Sequence, residues 1–129
     1  MSDTPGKVFG FTAELWEKGK REAICAIVRS GRKGDLIFYS DLSKQILCIA
    51  VEPHSYAMDS LLDQISMEED AAGRGILTAL VVLKDEGIPA DGFWASAAEL
   101  GRDVTDRVAC WSDEVKRVLE ECKKHPLVP

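Results

Sequence analysis

The sequence predicts a mainly α-helical fold with a small β component, and three observations lead to this class. Apolar residues recur at helical spacing in 12–31 and again in 104–122, which predicts a long helix near each end. The segment 41–65 holds two shorter helical patterns separated by a turn. Two runs, 36–39 and 76–83, have the β-branched or continuous apolar composition of strands.

Length and composition allow one domain. The chain has 129 residues, of which 46% are hydrophobic, enough for one core and too few for two ordinary domains. We expect a flexible arm over 1–10, a single domain over 11–125 and a tail over 126–129. Apolar runs fall short of the roughly 20 residues of a membrane span, and the start lacks a signal-peptide pattern. We therefore expect a cytoplasmic protein.

Charge and cysteine usage narrow the function classes. The formal net charge is −6, the wrong sign for a protein whose whole surface follows phosphates, so any nucleic-acid contact would be local. The cysteines lie far apart inside apolar segments, and we interpret each as a small hydrophobic residue in a reducing compartment. They are Cys25, Cys48, Cys110 and Cys122.

The first half of the chain predicts a helix-turn-helix. Thr12 is an N-cap for a helix that should end at Gly31 in a left-handed conformation. The strand 36–39 leads directly into a helix capped by Ser40 and extending to about residue 50. Pro53 breaks that helix, and a second helix begins at Tyr56 and runs to about residue 65.

The second half predicts a wing and two more helices. Ser66 and Glu69 have capping-box spacing, so a new short helix should begin there. The run 76–83 is the best strand, and the glycine- and proline-rich loop 84–92 could form a wing. The expected architecture is a winged helix-turn-helix-like core with additional N- and C-terminal helices.

A helix over 93–100 precedes the last helix, whose apolar stripe is narrow, like a coiled-coil seam. Packing on the domain and a homodimer interface are equally open interpretations of this stripe. Its members are Val104, Val108, Trp111, Val115, Val118, Leu119 and Cys122.

The motif Tyr39-Ser40-Asp41-Leu42, the Pro-containing turn, the apolar strand and Gly92-Phe93 resemble the winged-helix DNA-binding half of the alkylguanine-DNA alkyltransferases and alkyltransferase-like proteins. In that family the tyrosine at the position of Tyr39 helps to rotate a nucleotide out of the duplex. The family's nucleophilic cysteine has no counterpart in the strand, and Tyr56-Ala57-Met58-Asp59 replaces its arginine finger. The resemblance therefore implies the fold without alkyl transfer.

A second resemblance is to a set of small bacterial proteins, and it implies a shared fold and no activity. The matching residues are Leu-Leu-x-x-Ile-Ser over 61–66, Glu69, Gly73-Arg74, the strand 77–82 and Pro-x-x-Gly-Phe over 89–93.

Nine residues are candidate nucleic-acid contacts, through phosphates or through the exposed face of the second helix. They are Arg32, Lys33, Tyr39, Ser40, Tyr56, Ser60, Gln64, Arg74 and Lys84. The first functional hypothesis is therefore a non-enzymatic winged-helix-like protein with a nucleic-acid-binding or regulatory role, and duplex DNA is the partner it predicts. Asp59 and Asp63 on the same helix oppose it, so the alternative is a protein-interaction module that has lost DNA binding. Arg74 has a structural interpretation as well, a salt bridge to Glu69 or Asp70.

The sequence holds only partial patterns for a metal site or a catalytic site. Cys122 and His125 have the spacing of half a zinc site but lack a second pair. The carboxylates of Asp59 and Asp63 share a helical face and suggest a divalent-ion nuclease, but no lysine follows on a neighbouring strand. Neither His54 nor His125 is placed near a nucleophile. We expect no metal and no cofactor, and an enzyme is the third hypothesis.

Overall fold

The computed structural model describes residues 7–128, and the predicted mainly α class with a small β component is confirmed. The helices are α1 (Ala13–Arg32), α2 (Tyr39–Gln45), α3 (Tyr56–Ala71), α4 (Asp91–Glu99) and α5 (Arg107–Cys122), and the strands are β1 (Ile37–Phe38) and β2 (Val81–Val82). None of the helices in 7–128 is long and apolar enough to cross a membrane.

The described parts of the predicted arm and of the predicted tail contact the rest of the molecule. Of the predicted arm, residues 1–6 lie outside the described residues, and Val8 forms an antiparallel bridge with Phe11, the first residue of the predicted domain; both pack against the core. The ring of Phe9 stacks on Trp16 with centroids 5.6 Å apart. In the predicted tail, residue 129 is not described, and the Leu127 amide donates to Nδ1 of His125 at 3.1 Å.

Helix α1 begins after the predicted cap Thr12, but the left-handed residue predicted at its end is wrong. Gly31 lies inside the helix, where a Cβ atom would stand 2.5 Å from Sγ of Cys122 and 3.0 Å from Leu80. The left-handed conformation falls at Gly34, with φ of +78°. Position 31 therefore requires glycine because α5 packs closely against it, and position 34 favours glycine because the chain reverses there in a left-handed conformation.

The strand predicted over 36–39 is shorter, because Tyr39 already belongs to helix α2, which starts before the predicted cap Ser40 and ends at Gln45 instead of near residue 50. The chain after it is held in a non-helical conformation by the carboxylate of Glu22, which accepts the backbone N–H groups of Leu47 and Cys48 at 3.0 and 2.9 Å. The same segment buries apolar side chains. Tertiary contacts with α1 thus replace the last helical turn.

Helix α3 starts at Tyr56 as predicted and continues to Ala71, so the capping box predicted at Ser66 and Glu69 is wrong. The hydroxyl of Ser66 donates to the carbonyl of Leu62 at 2.8 Å, a bond that lets a serine remain inside a helix. Its oxygen also lies 2.6 Å from Oγ1 of Thr78. Ser66 therefore joins α3 to the following segment instead of starting a new helix.

The long strand predicted over 76–83 is also wrong, because residues Leu77–Leu80 form a buried 3-10 turn before β2. A continuous apolar run has no periodicity that separates a buried turn from a buried strand. Strands β1 and β2 are parallel, pairing Ile37 with Val81 and Phe38 with Val82. In the next loop, the Leu83 amide donates to the Ile88 carbonyl at 2.8 Å.

Most of the apolar stripe of α5 packs on the domain. Val118 and Cys122 are fully buried, and the Trp111 indole N–H donates to the carbonyl of Ala79 at 2.8 Å. Val108 differs from them, with 71% of its surface exposed. The structure therefore accounts for most of the stripe by intramolecular packing, and a homodimer stays a prediction.

A buried ion network at the end of α3 centres on Glu69, which is 3% exposed. Its carboxylate lies 2.7 Å from Nη2 of Arg74 and 2.7 Å from Nε2 of His125, which confirms the predicted salt bridge of Arg74. Because Nδ1 of His125 accepts the Leu127 amide, Nε2 carries the proton and donates to Glu69. Burial raises the pKa of Glu69, but the hydrogen bonds from Arg74 and His125 outweigh it and lower the pKa.

A second network joins α3 to α5 through Arg102. Its guanidinium lies 2.5 Å from Asp70 and 2.9 Å from Glu114, and these hydrogen bonds raise the pKa of Arg102. Glu114 also accepts the backbone N–H of Ile76 at 2.8 Å. Paired in this way, the largely buried charges hold the start of the 3-10 turn against α5.

Candidate binding site

A cleft of about 570 Å³ opens between α3 and α4, and we call it the acidic cleft. Helix α3 contributes Asp59 and Asp63, and α4 contributes Asp91 and Glu99. Among residues 7–128, no lysine, arginine or histidine lines the cleft. Four carboxylates that face one cavity without a lining cation give it a negative potential.

Four hydroxyl groups line the acidic cleft, those of Tyr39, Ser66, Thr78 and Ser96. Since Ser66 gives its proton to the Leu62 carbonyl, Thr78 must donate in the 2.6 Å contact between the two hydroxyls. Both protons are thereby used inside the protein, and the free lone pairs of the pair are acceptors. Burial raises the pKa of Tyr39, a hydrogen bond with the Ala90 backbone opposes this, and the charge of Asp59 adds to it.

The carboxylates of the cleft differ in how firmly they are held. Asp63 accepts the hydroxyl of Ser96 at 3.0 Å, a bond that connects α3 to α4. Asp59 and Glu99 are exposed. The side chain of Asp91 is 98% exposed and stands 3.6 Å from Arg107. Asp63 is therefore held between the two helices, while the other three carboxylates are solvated and able to meet a ligand.

A second cavity, of about 380 Å³, lies beside the start of α4, and we call it the aromatic groove. It shares Ala90 and Asp91 with the acidic cleft, so the two adjoin. Apolar side chains make most of its surface; they are Leu83, Ile88, Pro89, Trp94, Val108 and Trp111. The guanidinium of Arg107 lies over the ring of Trp94, 4.9 Å from its centroid.

Of the nine predicted nucleic-acid contacts, Arg32 and Arg74 point their charges at the protein itself. Arg74 pairs with Glu69. Arg32 donates to the carbonyl of Cys122 at 2.8 Å and to that of His125 at 3.2 Å, and it also contacts the carbonyl of Val128. Its guanidinium thus holds the segment after α5, a role that the sequence did not indicate.

The predicted contacts on α3 divide between the solvent and α1. Tyr56 is 85% exposed at the first position of the helix. Gln64 accepts the Trp16 indole N–H at 2.9 Å and donates to Ser60 at 3.3 Å, so both polar residues face α1. Asp59 and Asp63, which the sequence placed beside them, instead line the acidic cleft.

The remaining predicted contacts are spread over separate elements. Lys33 is exposed at the end of α1, and Lys84 is exposed in the loop after β2. Ser40 is half-buried inside α2, so the prediction that it caps this helix is wrong; Phe38 stands at the N-cap. Tyr39 is buried and lines the acidic cleft.

The half zinc pattern of Cys122 and His125 serves packing. Burial raises the pKa of the Cys122 thiol to about 11, and His125 is engaged with Glu69. Across residues 7–128, no three His, Cys, Asp or Glu side chains are grouped so that they could hold a metal ion.

The sequence indicates Asp59 and Asp63 as an acidic face of α3 but does not indicate that Asp91, Ser96 and Glu99 join them. The only available signal was the net charge of −6, which says nothing about where carboxylates gather. Their meeting depends on α4 packing against α3.

Comparison of the chain with models of protein families, with curated proteins and with solved structures gives no match.

Proposed function

We propose that this protein is a non-enzymatic interaction module that binds a cationic segment of a partner protein in the acidic cleft. The observation that carries the proposal is the lining of the cleft by Asp59, Asp63, Asp91 and Glu99, with no cation on its described surface. Lysine and arginine side chains are the protein groups complementary to such a surface, because they supply both positive charge and several hydrogen-bond donors.

The uncharged lining agrees with a donor-rich ligand. Ser66 and Thr78, which are 2% and 5% exposed, keep lone pairs as acceptors, and the buried Tyr39 lines the same cleft. A guanidinium carries five donors and an ammonium three, so either can satisfy several acceptors at once. The flanking carboxylates would also raise the rate of encounter with a basic partner.

Duplex DNA, bound through the nine predicted contacts, is the competing proposal. Arg32 and Arg74 use their guanidinium groups inside the protein, and Gln64 uses both ends of its amide there. The carboxylates of the acidic cleft also repel phosphate. These contacts favour the interaction module over DNA binding.

The test is a fluorescence-anisotropy titration of a labelled peptide that alternates arginine and glycine. We expect binding that weakens as salt is raised. The variant Asp59→Asn/Asp63→Asn should weaken it roughly fivefold to tenfold, since each carboxylate that faces the ligand contributes up to about 1 kcal/mol. Asparagine at position 63 can still accept from Ser96, so the bond between α3 and α4 is kept.

The matched control is Asp35→Asn/Asp113→Asn, which removes the same charge from two other exposed positions. Equal weakening in both double variants would mean that only net charge matters, and the cleft would not be the site. A mixed-sequence DNA duplex that binds where the peptide does not would overturn the proposal in favour of DNA. Sedimentation of the free protein measures whether it forms a homodimer.

A further inference from the structure

The aromatic groove is suited to an apolar side chain because its tryptophans have no free polar group to offer. The Trp94 indole N–H donates to the carbonyl of Arg107 at 3.3 Å, and that of Trp111 donates to the carbonyl of Ala79 at 2.8 Å. Both donors are used internally, so the rings line the groove with carbon; Trp94 is 6% exposed and Trp111 is more exposed than that. Val108, 71% exposed, and Ile88, 38% exposed, extend that surface to the solvent.

The rim of the groove has an excess of negative charge. Its lining includes two acidic residues, Glu86 and Asp91, and one basic residue, Arg107. That cation lies over Trp94 and 3.6 Å from Asp91, in a pair whose side chains are 59% and 98% exposed. An ion pair this exposed contributes little and is readily exchanged. A ligand entering the groove therefore meets carbon surface within an acidic border.

The acidic cleft begins where the groove ends, at Ala90 and Asp91. A chain segment lying across these two residues would reach both cavities. On one side it would meet Asp59, Asp63 and Glu99, and on the other the two tryptophan rings. Charge complementarity along this whole path favours a segment in which basic residues flank an apolar one.

Resting on the proposed function, we infer that the aromatic groove binds an apolar side chain of the same partner polypeptide whose basic residues occupy the acidic cleft. The partner segment is thus a hydrophobic side chain bordered by lysine or arginine. The groove supplies the anchor, since buried apolar contact with tryptophan contributes strongly to binding. The cleft supplies the orientation and the salt dependence.

The test compares two peptides that differ in one residue: the arginine-glycine peptide, and the same peptide with its central glycine replaced by leucine. We expect the leucine peptide to bind roughly tenfold more tightly, as burial of one leucine side chain implies. In ¹⁵N-correlated NMR spectra, the indole signals of Trp94 and Trp111 should shift. That of Trp16, which is 2% exposed and bonded to Gln64, should not.

A variant pair locates the effect. Val108→Ser changes an exposed residue of the groove and should remove a large part of the gain from leucine, while leaving binding of the glycine peptide unchanged. Leu47→Ser changes a residue that is 79% exposed and lies outside the lining of the groove, and it should alter neither peptide's affinity.

The outcomes separate the two proposals. If the glycine peptide binds and leucine adds nothing, or if the Trp94 and Trp111 signals stay fixed, the groove is not the anchor and the proposed function stands. If neither peptide binds, the proposed function fails, and this inference fails with it. If the leucine peptide binds equally well after its arginines are replaced by glycine, the groove is a purely apolar site and the basic partner is wrong.

Discussion

The two ends of α3 use the same kind of side chain for opposite purposes. Near its C-terminus, Glu69 is buried beside Arg74 and His125, and Asp70 is half-buried beside Arg102. Earlier in the helix, carboxylates face the acidic cleft, where the described lining holds no cation. A carboxylate matched by arginine holds the fold together, whereas one facing open space is available to a partner.

This difference predicts that charge removal has its largest effect in the paired region. Replacing Arg102 by Met leaves Asp70 and Glu114 without their shared cation in a mostly buried setting. The free energy of unfolding should fall by about 3 kcal/mol or more, as measured by urea denaturation. Lys123→Met, at an exposed pair with Glu120, serves as the control and should change it by less than about 0.5 kcal/mol. Similar losses in both variants would contradict the distinction.

The Glu69 network should give a pH-dependent effect of intermediate size. The pKa of the Glu69 carboxyl in the folded protein is lowered from the ordinary value of 4.5. The stabilisation it provides is therefore complete above that value and is lost as the pH falls through the lower, folded pKa. Glu69→Gln should be less stable at neutral pH by about 1–3 kcal/mol, because Arg74 and His125 lose a charged acceptor.

The pH dependence of the stability difference between wild type and Glu69→Gln tests the direction of the Glu69 pKa shift. Because a glutamine side chain cannot titrate, the difference in stability between wild type and Glu69→Gln should shrink as the solution is acidified below pH 4.5. Denaturation curves collected across the acidic range provide the measurement. A difference that stayed constant with pH would show that the carboxylate contributes through shape alone.

The smallest stability effect is expected at the acidic cleft. Asp59→Asn/Asp63→Asn leaves the hydrogen bond with Ser96 possible and removes repulsion between neighbouring carboxylates. The free energy of unfolding should therefore stay within about 0.5 kcal/mol of the wild-type value. A loss as large as that of Arg102→Met would make these aspartates structural residues.

The sequence predicts features that depend on near neighbours better than those that depend on distant ones. The start of α3 at Tyr56 and the bridge between Arg74 and Glu69 follow from local signals, and both are confirmed. The partnership of Arg102 with Asp70 spans 32 residues and has no local signal. Ser66 shows that a local motif can also mislead. It has capping-box spacing with Glu69, but it stays inside α3 and its hydroxyl contacts Thr78.

The candidate site follows the same rule. The acidic face of α3 can be read from the spacing of Asp59 and Asp63, because residues four apart share one side of a helix. What lies opposite that face cannot be read, since Asp91 and Glu99 reach it through the packing of α4. The helix-turn-helix pattern predicts that the exposed face of α3 contacts the DNA groove. That pattern contains no information about α4.

The most direct test of the division between structural and available carboxylates is one paired measurement on Asp59→Asn/Asp63→Asn. Its unfolding free energy and its affinity for the arginine-glycine peptide are determined in the same buffer as for wild type. The predicted result is unchanged stability with affinity reduced roughly fivefold to tenfold. Unchanged affinity, or a loss of stability that accounts for the loss of binding, would contradict it.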